Sequence, residues 1–118
     1  MIAAKTGTPP TSLVSNDLVV GTGAEAVKGK AVTVQYVGVR FADGKQFDAS
    51  WDRGQPFGFT LGAGRVIAGW DQGVAGMKVG GRRELVIPPA LAYGDKGAGA
   101  DIKPGDTLVF VVDLISVS

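Results

Sequence analysis

From Leu13 onward, short apolar runs alternate with turn residues, a pattern that predicts a small sheet protein. Ala31 to Phe41 reads as one long strand. Val32, Val34 and Tyr36 share a face, and beyond Gly38 the apolar set passes to Val37, Val39 and Phe41. A change of phase beside a glycine predicts a bulge or a switch in which face is buried. Asp43-Gly44 between apolar residues predicts a hairpin tip. Phe57, Phe59 and Leu61 alternate as a strand does, and Glu84 to Ile87 forms another, stopped by Pro88-Pro89. Thr107 to Ile115 is the clearest strand, with Leu108, Phe110, Val112 and Leu114 on one face and Val109, Val111 and Ile115 on the other.

Helical periodicity is thin. Only Val66 to Met77 has it, with Ile67, Trp70 and Val74 at i, i+3 and i+7. Trp70 admits two readings, a core ring on a short helix or the floor of an apolar pocket. Gly69 and Gly73 would let other groups approach it closely. Ala90 to Asp106, with its glycines and Pro104, predicts a long loop, a common place for function in a compact domain. These elements predict an α+β domain, an antiparallel sheet packed on one short helix. Residues 1–12, rich in Thr, Pro and small side chains, are expected to form a flexible arm ahead of a single domain over residues 13–118.

Composition narrows the chemistry. The chain of 118 residues has no cysteine and no histidine. Disulfides, thiol chemistry, Ser-His-Asp catalysis and the commonest zinc ligands are therefore excluded. The acidic residues are scattered, with no Asp-x-Asp-x-Asp loop, so no metal site and no cofactor is expected. A net charge of +1 gives no electrostatic case for nucleic acid or an acidic membrane surface. No apolar run reaches the length of about 20 residues that spans a bilayer. The first residues lack the apolar core of a signal peptide, so a cytoplasmic location is expected. Arg82-Arg83, the one notable basic pair, would point to opposite faces of a strand.

Several stretches occur together in a telling order: Val34-Gln35-Tyr36-Val37-Gly38, Asp43-Gly44-Lys45-Gln46-Phe47-Asp48-Ala49-Ser50, Asp52-Arg53 and Pro56-Phe57-Gly58-Phe59. Leu61-Gly62, Val66-Ile67-Ala68-Gly69-Trp70, Gly76-Met77-Lys78-Val79-Gly80, Leu91-Ala92-Tyr93-Gly94 and Thr107-Leu108-Val109-Phe110 follow. In these the chain, from Leu18 to Val117, resembles the FKBP-type peptidyl-prolyl cis-trans isomerases, which bind the macrolides tacrolimus and rapamycin. The resemblance implies a five- to six-stranded antiparallel sheet wrapped around one short helix, with a site between them. It implies catalytic roles for Tyr36, Phe47, Asp48, Trp70, Tyr93 and Phe110. It implies substrate-binding roles for Arg53, Phe57, Val66, Ile67 and Ile102. The implied partners are proline-containing peptides, unfolded segments and macrolides, acting on a monomer.

The chemistry suits these residues. Rotation about an X–Pro bond makes and breaks no covalent bond, and amide resonance sets its barrier at about 18–20 kcal/mol. Twisting removes the charge separation of the planar amide, so an apolar pocket favours the twisted state over water. Neither nucleophile nor acid–base pair is required. Each residue also has a plainer role. Phe47, Phe57 and Phe110 would face inward on strands in any case, and Phe59 reads as core. Tyr93 is placed to donate to a bound carbonyl, and the Ile67 N–H lies where early helical donors lack partners. Asp48 is either a catalytic base or, paired with Arg53 and near the Tyr36 hydroxyl, an orienting acceptor. Trp51 reads as surface filler or as a peptide-contacting shelf. Arg65 on the pocket approach and Ala98, Ala100 and Asp101 in the following loop depart from some relatives, which bears on substrate preference and macrolide affinity. A binding module with little turnover is the competing function class. A scaffold or general chaperone would need a second domain or a wide apolar surface.

Overall fold

The computed structural model describes residues 8–94, 96, 97 and 102–118. Its strands are β1 (Val14–Val19), β2 (Ala31–Arg40), β3 (Gln46–Ala49), β4 (Phe57–Thr60), β5 (Arg82–Ile87) and β6 (Leu108–Val117). The single α-helix, α1, spans Ala68–Gly73, and short 3-10 turns cover Ser50–Arg53 and Pro89–Leu91. The strands form one antiparallel sheet in the order β1-β5-β6-β2-β3, with β4 also paired to β2. The architecture is α+β, as the alternating pattern predicts, and its six strands fall within the five to six that the resemblance implies. Of the arm predicted at residues 1–12, residues 1–7 lie outside the described set.

β2 organises the sheet. Along one edge it pairs with β6; along the other, its first half meets β4 and its second half meets β3. The two partners leave a gap at Tyr36, filled by the 3-10 turn that follows β3. The Tyr36 N–H donates to the buried Ser50 Oγ at 2.7 Å, and that hydroxyl donates to Gln35 Oε1 at 2.5 Å. A side chain thus replaces a missing ladder partner for a buried backbone donor. The predicted change of phase is real on both counts. The β2–β3 register shifts between Gly38 and Val39, while Val39 and Phe41 join Val86 and Val109 in a second apolar cluster. The main cluster packs Val32, Val34 and Tyr36 with Trp70, Leu85, Ile87 and Phe110.

The helix is shorter than the predicted Val66 to Met77. Ile67 has φ −58 and ψ 149, so the chain is still extended there, and the helical run ends at Gly73. Six residues with two glycines have no intrinsic helical stability; packing holds them. The glycines act differently from the sequence reading. A Cβ at Gly69 would lie 2.5 Å from Ile87 Cγ2, and one at Gly73 would lie 2.6 Å from Leu85 Cδ2. They bring α1 down onto β5 rather than opening space beside the indole. Arg83 fixes the far end, with Nη1 donating to the carbonyls of Gly73 (2.8 Å) and Ala75 (3.0 Å) and Nε to Asp17 (2.6 Å). Its neighbour Arg82 pairs with Asp113 instead, so the two arginines do part as strand geometry requires.

Strand β1 had no clear signal: five of its six residues are exposed, and pairing with β5 holds it. The hairpin after β2 is made as predicted, with the Gly44 N–H donating to the Arg40 carbonyl at 2.8 Å. Arg40 also clamps the approach to β6. Its Nε and Nη2 bind Asp106 at 2.8 and 3.0 Å, and the Lys103 N–H reaches the same carboxylate at 2.7 Å. The Arg40 guanidinium holds the Asp106 carboxyl below its ordinary value of 3.8. A depressed carboxyl stabilises the fold above its unfolded pKa and ceases to do so as pH falls through the folded one. Asp106→Asn should therefore lower stability at neutral pH, and the gap to wild type should close as pH drops below 3.8. Urea unfolding at several pH values measures this, and a gap that stays constant with pH would exclude the linkage.

Candidate functional site

Aromatic side chains of β2, β3, β4 and β6 converge around Trp70 of α1. Trp70, 4% exposed, lies at the centre. Its ring meets Tyr36 at 4.8 Å between centroids, Phe110 at 5.3 Å and Phe57 at 6.0 Å, all nearly perpendicular, and Phe59 at 5.7 Å. Phe47 adds a T-shaped contact to Phe110 at 5.5 Å. Perpendicular rings place a positive edge on a negative face, the preferred aromatic arrangement. Among the described residues the Trp70 Nε1–H has no hydrogen-bond acceptor. It is a buried donor in an aromatic bowl, where ring faces are the weak acceptors at hand.

Above this floor is a cavity of about 200 Å3. Its walls are Tyr36 of β2, Phe47 and Asp48 of β3, Phe57 of β4 and Phe110 of β6, closed by Arg65, Val66 and Ile67 and by Tyr93. Drug-sized ligand sites usually measure about 300–1,000 Å3, so this one suits a small ring such as a prolyl group. Gly38 makes the bowl possible. It faces Phe110 across β6, and a Cβ there would lie 2.7 Å from both Phe110 Cε1 and Phe47 Cζ.

The polar rim is one linked group. The Tyr36 hydroxyl donates to Asp48 Oδ2 at 2.5 Å; Arg53 donates through Nη1 to Asp48 Oδ1 at 2.6 Å and through Nη2 to the Tyr36 oxygen at 2.8 Å. The guanidinium also stands 5.6 Å from the Tyr36 ring centroid, within cation–π range. Burial, then the bond to Asp48, raises the Tyr36 pKa, so its hydroxyl stays protonated. The Tyr36 hydroxyl first and Asp48 second raise the Arg53 pKa. Asp48 and Arg53 side chains are 40% and 49% exposed, so solvent screens their attraction and the network's main effect is orientation. Tyr93 is 41% exposed; burial and then the Asp48 charge raise its pKa, leaving a neutral hydroxyl at the mouth.

The donors available to a bound peptide follow from α1. Ile67 ends the extended segment, and its carbonyl accepts the Trp70 and Asp71 N–H groups at 2.9 and 3.3 Å. Its own N–H has no acceptor among the described residues and stands on the cavity wall. Asp71, not singled out in the sequence, secures this segment. Its Oδ1 and Oδ2 accept the Gly62 and Gly64 N–H groups at 2.8 and 3.1 Å, so the residue beside Trp70 holds the loop carrying Arg65, Val66 and Ile67. An acid in a first helical turn is ordinary dipole matching, so sequence offered no way to separate this role from it.

All the sequence-named site residues except Arg53 and Ile102 line the cavity. Arg53 stands behind the rim and acts through Tyr36 and Asp48. Ile102 is buried in the main apolar cluster. Phe59 is core, as expected, and Trp51 is 54% exposed. Ala98, Ala100 and Asp101 lie outside the described residues.

Residues 23–115 match the family described as FKBP-type peptidyl-prolyl cis-trans isomerase. An FK506-binding protein of Streptomyces anulatus is 61% identical over 112 residues, 94% of this chain and 90% of the relative. A probable FK506-binding protein of Corynebacterium glutamicum is 56% identical, covering 93% and 91%. The crystal structure of AtFKBP13 superposes with a TM-score of 0.84 at 45% identity, over 93% of this chain and 96% of that one. FkpA from Escherichia coli gives 0.83 at 44% identity, over 92% of this chain and 49% of its own. Sequence and fold agree, and the chain belongs to the FKBP-type peptidyl-prolyl cis-trans isomerase family.

Proposed function

We propose that this protein accelerates rotation of X–Pro peptide bonds by holding the proline over Trp70. The observation that carries the reading is the cavity itself, apolar at its floor and over most of its walls, with an Ile67 N–H that has no acceptor among the described residues and a neutral Tyr93 hydroxyl at its edge. The planar amide is the more polar ground state, and water solvates it better than these rings do. The twisted bond loses less on entering, so the pocket binds the transition state preferentially. The Ile67 N–H holds the peptide backbone while the prolyl ring turns. Tyr36, Asp48 and Arg53 fix the rim, and no proton is transferred. Folding chains with slow X–Pro steps of about 10–100 s are the natural substrates. Macrolides of the tacrolimus and rapamycin type would seat one ring in the same cavity and leave most of their surface outside it. The proposal includes a cytoplasmic monomer, checked by sedimentation and by cell fractionation.

An isomerisation assay on short X–Pro peptides, with and without rapamycin, tests the reading. Turnover equal to the solvent rate would leave only a binding module. Asp48→Ala should lower kcat/KM several-fold with little change in melting temperature, because it disorders the Tyr36 hydroxyl without removing buried apolar area. Complete loss of turnover in a folded Asp48→Ala protein would mean that Asp48 moves a proton.

A further inference from the structure

Four of the five arginines are engaged in ion pairs: Arg40 with Asp43 and Asp106, Arg53 with Asp48, Arg82 with Asp113 and Arg83 with Asp17. The fifth, Arg65, is exposed, lines the cavity and makes no hydrogen bond or ion pair among the described residues. The carboxylate on the same cavity wall does not balance it. Asp48 already receives Arg53 at 2.6 Å and the Tyr36 hydroxyl at 2.5 Å. Among the described lining residues, the pocket therefore presents one uncompensated positive charge.

That charge stands two residues before the Ile67 N–H, which has no acceptor among the described residues, on a loop pinned by Asp71. Because Arg65 and Ile67 line the same cavity, a peptide held at the Ile67 N–H would bring the residues beside its proline towards Arg65. We infer that Arg65 selects substrates carrying a carboxylate close to the proline, so that acidic-flanked X–Pro segments are preferred over basic-flanked ones. The inference rests on the isomerase reading above and adds the substrate class. An exposed pair contributes little, so the preference is a bias of about two- to fivefold. Being long-range and solvated, it is also sensitive to salt.

The test uses acetylated, amidated peptides with a fixed Leu-Pro pair and Glu, Gln or Lys at each of the two positions on either side. Isomerisation is followed by exchange NMR and binding by amide shifts of the protein. Both are read at about 0.01 M and about 1 M ionic strength, where the Debye length is about 30 Å and about 3 Å. At low salt the Glu peptide should exceed the Lys peptide about two- to fivefold at one position or more. The ratio should collapse at high salt, disappear in Arg65→Gln, survive in Arg65→Lys and invert in Arg65→Glu. A ratio of one at every position at low salt overturns the inference, as does a ratio that persists in Arg65→Gln. If the Gln peptide binds without faster isomerisation, the isomerase reading fails alone, and binding still reports the charge preference. If no peptide binds, both fail.

Discussion

Leucine in place of Trp70 should weaken peptide or macrolide binding at least tenfold and lower stability by about 2–4 kcal/mol. The indole contacts four aromatic rings, three of them edge to face, and leucine keeps none of that geometry. Each such pair is worth about 0.5–1.5 kcal/mol beyond its buried area. Trp70 thus belongs to the core and to the site at once, and a second variant separates the two. Leu85 is fully buried in the same cluster but does not line the cavity. Leu85→Ala should lose a comparable 2–5 kcal/mol, by an order-of-magnitude estimate, while its folded fraction keeps its affinity. Denaturant melts and ligand titrations on both variants decide the matter. If affinity falls equally in the two, Trp70 is a core residue that the pocket merely borders.

Alanine at Gly38 should reduce turnover at least tenfold and stability by about 1–3 kcal/mol, against the backbone's own preference. Glycine is a poor strand residue, and Gly38 is not among the residues with positive φ, so propensity alone predicts a gain. Sterics decide otherwise. The new methyl would lie 2.7 Å from ring atoms of both Phe47 and Phe110. Phe110 is held against Trp70, so Phe47, half-buried at the mouth, is the ring that swings. Its perpendicular contact with Phe110 breaks, and a wall of the cavity is lost. Assays of kcat/KM beside urea melts would test this, and a more stable variant with undiminished turnover would refute it.

The legibility of this chain varied with the kind of signal. Strands β2 and β6 were evident because a buried face repeats every second residue. The site residues were named through the order of short motifs, since Phe47, Phe57 and Phe110 would look identical as core. β1 was illegible because it buries almost nothing and owes its place to hydrogen bonds with β5. The periodicity overstates the helix because Ile67 and Val74 fit a helical period, although Ile67 is extended. Gly69 and Gly73 suggest room around the indole in the sequence; in the fold they are contact points with Ile87 and Leu85. The roles of Ser50 and Asp71 are not legible in the sequence, as they rest on hydrogen bonds from backbone N–H groups on other segments. Pairings of that kind leave no trace in periodicity or composition.

The shortness of α1 has a thermodynamic corollary. A helix of six residues seated by two glycines on β5 cannot persist once that strand leaves, and the strand lies inside the sheet. The pocket floor and the sheet therefore belong to one cooperative unit, without a local opening that frees Trp70 alone. Ligand at a hundred times its Kd adds about 2.7 kcal/mol to such a unit. That increment is shared by every slowly exchanging amide in β5 and β6, so a small ring bound over Trp70 slows hydrogen exchange throughout the sheet.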